Sequence, residues 1–128
     1  MKTEAQTFLA ENGLAIAADI NFAVRVAHGL AKDAGWHDKP REIGTMLCLI
    51  HSEISEAMEG SRKDLMDDKL PERKMFEVEL ADAVIRIFDL AGREGLDLGN
   101  AIYEKLLYNQ IRPDHKKEAR EAEGGKQF

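Results

Sequence analysis

The amino-acid sequence predicts an all-α fold, and two observations support that prediction. Aromatic residues make up only 6% of the 128 residues and there are three prolines, a composition that suits helices better than a β-sandwich. Apolar residues also recur at intervals of three and four, the spacing of one buried helix face. Four such stretches joined by short links predict a four-helix bundle in one domain, residues 1–128.

The first predicted helix covers roughly residues 14–34, where apolar side chains repeat at helical spacing. The pair Asn12-Gly13 is expected to separate it from a short arm at the N-terminus. Gly35 and the polar residues after it predict a helix stop followed by a loop. A second helix is predicted from about residues 40–42, where proline is tolerated in a first turn, to about Asp64.

A polar connector at residues 67–71 precedes the third predicted helix, from about Glu72 to Arg93. This helix is apolar on almost every side, which is typical of a helix that is buried on almost every side. A chain of this length is expected to need a second subunit as well as its own bundle to cover such a helix. The sequence therefore predicts a homo-oligomer, either a homodimer or a homotetramer.

The fourth predicted helix runs from about Leu98 to Ile111, and Pro113 ends it because proline lacks the amide hydrogen that a helix interior requires. Residues 116–128 carry little apolar material and include Gly124-Gly125, so we expect a flexible tail.

Composition and charge exclude several classes of function. A single cysteine, Cys48, rules out an internal disulfide and fits a reducing compartment. We see no signal peptide and no run of about 18 apolar residues that would span a membrane. The net charge of −6 argues against a nucleic-acid partner, but not against a nucleotide substrate, since bound metal ions can reverse the local sign. These features predict a soluble, cytoplasmic protein without a membrane partner.

Acidic side chains lie inside the otherwise apolar helices. Glu53 and Glu56 are three residues apart in the second predicted helix, so they share one face. Glu79 and Asp82 have the same spacing in the third. A buried carboxylate costs several kcal/mol unless it is paired or bound to a metal, and neighbouring carboxylates raise each other's pKa. Four converging carboxylates therefore favour a hard divalent cation, with Mg²⁺ as the first candidate.

The same residues also permit simpler roles. A Glu-x-x-Glu pair on an amphipathic helix is more often solvated than bound to a metal. Arg86 could pair with Asp82 and Asp89 as a salt bridge within one helix. A di-iron centre is disfavoured, because such bundles use a Glu-x-x-His pair and neither acidic pair has a histidine at that spacing.

Two segments around these carboxylates, Leu49–Ala57 and Glu79–Ile87, resemble the two acidic motifs of the all-α NTP pyrophosphatase superfamily, which includes MazG and the dimeric dUTPases. The resemblance covers roughly residues 25–128. It implies a MazG-like enzyme that hydrolyses (deoxy)nucleoside triphosphates to the monophosphate and pyrophosphate. Such an enzyme would serve in nucleotide-pool control or in housecleaning. The four carboxylates would be catalytic and would hold Mg²⁺, with Mn²⁺ as a substitute.

The resemblance also implies residues that contact phosphate. The segment from Lys105 to Pro113 resembles the phosphate-contacting segment of the family, although by itself it would be a solvated helix face. The candidates for phosphate contact are Lys105, Asn109, Arg112, Lys63 and Arg86.

His28 and Trp36 fall where relatives border the base and sugar, with Trp36 as a stacking surface. Ser52 is a departure, because many members of the family carry a second glutamate there. The general base is therefore open, and Glu53 is our first choice.

Two other functions stay open. One is a non-catalytic helical oligomerisation or regulatory module that keeps the carboxylates as a structural cation site. The other is a phosphoribosyl-ATP pyrophosphohydrolase. The face that carries Lys105, Asn109 and Arg112 favours an enzyme, because a structural metal site has no use for it. The sequence does not determine the base or the sugar of the substrate.

Overall fold

The structure, a computed structural model, describes residues 1–111 and 117–125. The helices are α1 (Glu4–Asp33), α2 (Ile43–Lys63), α3 (Met75–Glu94), α4 (Leu98–Ile111) and α5 (Lys117–Glu121). An isolated bridge between Met66 and Lys74 is the only β-type pairing in these residues. The prediction of an all-α fold is confirmed, and α4 has the predicted bounds.

The first helix is continuous, so the predicted break at Asn12-Gly13 is wrong. The side-chain amide of Asn12 donates to the carbonyl of Phe8, 3.0 Å away and one turn earlier in the same helix. Gly13 is buried, and a Cβ at this position would overlap the ring of Tyr103. The glycine thus permits a close approach between α1 and α4 and does not make a turn.

Among the described helices, α1 alone is long and apolar enough to cross a membrane, by length and composition. Buried core helices of soluble proteins and N-terminal signal sequences pass the same test, and α1 carries Asp19 and Arg25 in its middle. Only 11% of the apolar segment is buried within the chain. Most of the apolar surface of α1 is therefore left for something else to cover.

The closely packed pair of helices in the described chain is α2 with α3, and it positions the acidic residues. Asp64 ends α2 in the left-handed conformation, with φ at 49°. In the connector, Oδ2 of the buried Asp67 accepts the backbone N–H groups of Lys69 and Leu70 at 3.0 and 2.8 Å. This turn keeps the connector non-helical as far as Lys74, so α3 begins a little later than predicted.

The chain forms two compact units. One contains residues 1–21 and the described residues from Asp97 onward, and the other contains residues 22–96. In the first unit, the Asn21 side chain donates to Asp97 at 2.7 Å and accepts the N–H of Gly99 at 2.8 Å. These bonds tie α1 to the start of α4. The second unit holds α2, α3 and the four acidic residues.

The apolar core of the described residues is small and consists mainly of alanine. Its members are Ala17, Val24, Met46, Ala57, Ala83 and Ala91. Larger apolar side chains on α1, α2 and α3 stay substantially exposed, and Phe22, Met58 and Ile85 are 61%, 61% and 51% exposed. A single chain therefore leaves much of its apolar surface uncovered.

Gly99 tests the close contact between α4 and α1, and Gly29, a helical glycine without such a contact, is the comparison. At Gly99 a Cβ would overlap the carbonyl oxygen of Ala17, so Gly99→Ala should lower the free energy of unfolding by about 1–3 kcal/mol. At Gly29 a Cβ meets nothing within 4 Å, so Gly29→Ala should raise it by about 0.5–1 kcal/mol. Urea denaturation measures both. A Gly99→Ala variant as stable as the parent would contradict the close contact.

Candidate metal centre

Three of the four predicted metal ligands converge in the structure. One carboxylate oxygen from each of Glu53, Glu56 and Glu79 lies within 4.8 Å of the other two. The i, i+3 spacing puts Glu53 and Glu56 on the same face of α2, and the packing of α3 brings Glu79 opposite them. Glu53 and Glu79 are only 9% and 8% exposed, whereas Glu56 is exposed. Two carboxylates are therefore buried side by side, with a third at the surface.

Asp82 follows Glu79 by one turn of α3 and lies outside that group of three. It is half-buried and lines the same cavity as Glu53. Burial raises the pKa of Asp82, and the charges of Glu53, Asp67 and Glu56 raise it further, against the opposing effect of Arg86. Asp82 therefore experiences the charges of the acidic cluster, but its carboxylate does not belong to the group of three whose oxygens lie within 4.8 Å of one another.

Glu79 has the most perturbed carboxyl group of the cluster. Its hydrogen bond with Glu53, its burial and the nearby Glu56 together raise its pKa to about 8. Burial acts on Glu53 in the same direction, but hydrogen bonds from Glu79 and Arg86 outweigh it and lower the pKa of Glu53. At neutral pH the pair therefore shares one proton, which resides on Glu79 while Glu53 is ionised.

The buried oxygen Oε2 of Glu79 has no hydrogen-bond partner among the described residues. A buried acceptor without a partner costs about 1–3 kcal/mol, so the carboxylate pair is incomplete as a hydrogen-bonded unit. A cation bound by Glu53, Glu56 and Glu79 would satisfy this oxygen and replace the shared proton. Carboxylate oxygens are the ligands that Mg²⁺ prefers, so the residues present fit that ion.

Arg86 pairs with a different partner from the one considered from sequence. Its Nε donates to Oε1 of Glu53 at 2.9 Å, from α3 to α2, where the sequence had suggested Asp82 and Asp89 as partners within α3. The guanidinium therefore holds Glu53 ionised and also joins the two helices. Arg86 also lines a cavity together with Glu53 and Asp82, so it stays a candidate for phosphate contact.

A cavity of about 820 Å³ adjoins the acidic cluster through Glu53 and Asp82. This volume lies within the range of small-molecule sites in proteins. Its wall is mainly apolar, and its charged lining residues are two arginines and three carboxylates. The lining residues on α1 are Phe22, Ala23, Val26, Ala27, Leu30 and Ala31; the charged ones are Arg41, Glu53, Asp82, Arg86 and Asp89.

Trp36 lines the same cavity as Glu53 and Asp82. The indole is largely exposed, and the guanidinium carbon of Arg41 lies 5.9 Å from its ring centroid. An exposed aromatic ring on a cavity wall is available to stack on a planar ligand.

His28, unlike Trp36, does not line this cavity. Its Nδ1 is 2.9 Å from Oδ1 of Asp89, and Nε2 of His37 is 2.8 Å from the same oxygen. His28 and His37 line a smaller cavity instead of the wall that contains Trp36. His37 was not among the residues predicted from sequence, because its contact depends on how the loop after α1 returns to α3. The only feature of the sequence that could have pointed to His37 is its position shortly after the predicted end of the first helix.

The other predicted phosphate contacts are not among the residues that line the larger cavity. Lys63 is exposed and pairs with Glu59. Lys105 and Asn109 are on α4 in the first unit, with Nζ of Lys105 4.9 Å from the ring centroid of Tyr108. Arg112 lies outside the described residues. Contact of these side chains with phosphate stays a prediction.

Ser52 does not replace the missing glutamate as a base. Its hydroxyl donates to the carbonyl of Leu49 at 2.6 Å, so it is engaged with its own helix.

Comparison with known proteins finds no matching family model, no matching curated protein and no matching solved structure. The function of this chain is therefore inferred from its own residues and their geometry.

The raised pKa of Glu79 predicts a pH-dependent stability in the metal-free chain. Between its ordinary value of 4.5 and about 8, Glu79 holds a proton in the folded state but not in the unfolded state. The stabilisation is complete below this window and is lost as the pH rises through it, at up to about 1.4 kcal/mol per pH unit.

Urea denaturation with a chelator present, at several pH values across this window, measures the effect. Glu79→Gln keeps the shape of the side chain and removes its titration, so this variant should lose the slope. Equal slopes in the parent and in Glu79→Gln would contradict the proposed shared proton.

Proposed function

We propose that this chain is a Mg²⁺-dependent nucleoside triphosphate pyrophosphohydrolase of the MazG-like type. Its substrate would be a (deoxy)nucleoside triphosphate, and its products the monophosphate and pyrophosphate. The observation that supports this most directly is the group of Glu53, Glu56 and Glu79, with a buried oxygen that lacks a partner among the described residues. The group adjoins a cavity large enough for a nucleotide.

Glu53, Glu56, Glu79 and Asp82 would hold the cation. When bound, Mg²⁺ would offset the negative charge of the phosphate oxygens and lower the pKa of a coordinated water. Glu79 has to give up its proton before it can act as a ligand, because its pKa of about 8 keeps it neutral at pH 7. Glu53 is already ionised, and Arg86 keeps it so.

Hydrolysis forms one bond between phosphorus and the oxygen of water, and breaks the anhydride bond between the α- and β-phosphates. The electron pair of the broken bond leaves with pyrophosphate, and the proton of the water needs an acceptor. Glu53 suits this role because it lines the cavity and is ionised at neutral pH. Asp82 is the second carboxylate of the cluster on the cavity wall.

The cavity offers separate surfaces for the parts of a nucleotide. Arg41 and Arg86, which both line the cavity, can contact the phosphates, whose charge grows as the anhydride bond breaks. Trp36 and the apolar wall formed by α1 can take the base by stacking and by burial. Lys63, Lys105, Asn109 and Arg112 remain further candidates for phosphate contact.

Self-association is part of the proposal. Apolar side chains on three helices of the second unit are exposed in the single chain, among them Phe22, Ile54 and Val84. A second copy would cover such faces with apolar surface of the same kind. Light scattering should give the mass of a dimer or a tetramer, and a monomer at micromolar concentration would contradict this part.

The activity test is release of pyrophosphate from each common dNTP and NTP with Mg²⁺ present. We expect release from at least one substrate and a loss of more than about 100-fold in Glu79→Gln, because a metal ligand is lost. Glu77→Gln is the matched control: Glu77 is an exposed glutamate on α3 that pairs with Arg73, and neither residue lines the cavity, so its substitution should leave the activity unchanged.

Two outcomes would contradict the enzyme proposal. Binding of Mg²⁺ without pyrophosphate release from any substrate would favour the alternative, a non-catalytic helical module with a structural cation site. Equal activity in the parent and in Glu79→Gln would show that hydrolysis does not use this cluster.

A further inference from the structure

We propose that His28, His37 and Asp89 form a second metal site, distinct from the acidic cluster, which binds Zn²⁺. One ligand atom from each of these three residues lies within 4.8 Å of the other two. They come from three separate segments: α1, the loop that follows it, and α3. This Zn²⁺ site does not depend on the proposed hydrolysis.

The geometry brings both imidazoles to one atom. Nδ1 of His28 and Nε2 of His37 lie 2.9 and 2.8 Å from the same Oδ1 of Asp89. Tetrahedral Zn²⁺, with bonds of about 2.0–2.2 Å, separates neighbouring ligand atoms by about 3.3 Å. The two observed N···O distances are about half an ångström shorter than this spacing, so the trio would have to open around an ion for all three atoms to bind it.

The burial of the trio favours a bound ion over hydration of each group by water. The side chains of His28, His37 and Asp89 are 18%, 12% and 11% exposed, so little water reaches them. The two rings lie edge to face with centroids 4.9 Å apart, which leaves both ligating nitrogens directed at the carboxylate.

The donor set selects the metal. Two imidazole nitrogens and one carboxylate oxygen match the ligands of three-residue zinc sites, whereas Mg²⁺ prefers oxygen donors alone. The acidic cluster of Glu53, Glu56 and Glu79 has the opposite character. The second unit would therefore hold two sites that discriminate between metals by ligand chemistry.

The smaller cavity, of about 320 Å³, is lined by His28 and His37 and gives room beside the trio for a further ligand of the ion. Four cationic side chains also line it: Lys32, Lys39, Arg41 and Arg93. One carboxylate and a divalent ion leave a positive charge, and the cationic lining adds to it. The exchangeable ligand is therefore expected to be an anion, such as hydroxide or chloride.

The test is Zn²⁺ titration of the full chain, freed of metal by a chelator, in excess Mg²⁺ that saturates the acidic cluster. Calorimetry measures the affinity, and NMR of the imidazole C–H groups reports which histidines respond. We expect binding that shifts the resonances of His28 and His37 and leaves those of His51 unchanged. His51 is an exposed histidine on α2.

His37→Ala and Asp89→Asn should each weaken Zn²⁺ binding by more than about tenfold, and His51→Ala should not. Asp89→Asn keeps the shape and hydrogen-bonding capacity of the side chain, so it serves where His37→Ala fails to fold; circular dichroism reports folding. Absence of Zn²⁺ binding, unchanged affinity in both variants, or equal weakening in His51→Ala would overturn the proposal and leave the trio as a hydrogen-bonded clasp.

Discussion

The burial of two carboxylates against each other, Glu53 on α2 and Glu79 on α3, is the constraint from which the rest of the second unit follows. Neither helix can withdraw its glutamate without separating α2 from α3, the most extensively packed helix pair in the described chain. Two negative charges at this distance in a partly dry site cannot both persist, so a proton or a cation must lie between them. Without metal, the proton on Glu79 meets that need.

This constraint explains the position of Arg86. A guanidinium bonded to Glu53 makes Glu53 the ionised member of the pair, so the shared proton resides on Glu79. Oε2 of Glu79, unpartnered among the described residues, shows that one proton does not fully satisfy the site. A divalent cation satisfies more oxygens at once, and the adjoining cavity gives it access to a ligand.

Four polar residues on one face of α3 contribute to the two candidate metal sites of the second unit. Glu79, Asp82, Arg86 and Asp89 follow one another at helical spacing. Near Glu79 these residues meet the glutamates of α2, which carry oxygen donors. Asp89, at the other end, meets two imidazoles, which carry nitrogen donors. A single helix thus presents two donor sets of different character without any change in backbone geometry.

Much of this could be predicted from sequence, because helical periodicity and i, i+3 spacing are local properties. The all-α fold, the bounds of α4 and the position of each acidic pair on one helix face follow from these local properties. The continuity of α1 through Gly13 did not, since that glycine is explained by Tyr103 on another helix. The pairing of Arg86 with Glu53 and the meeting of His37 with Asp89 are likewise set by tertiary packing, on which a single sequence is silent.

The exchange of a proton for a cation at Glu79 is the most direct test of the proposed metal centre. Calorimetric titration with Mg²⁺ at pH 7, in two buffers of different ionisation enthalpy, measures the protons released on binding. The shared proton predicts release of nearly one proton per ion, with the release abolished in Glu79→Gln. Equal heats in the two buffers, or the same proton release from Glu79→Gln, would contradict it.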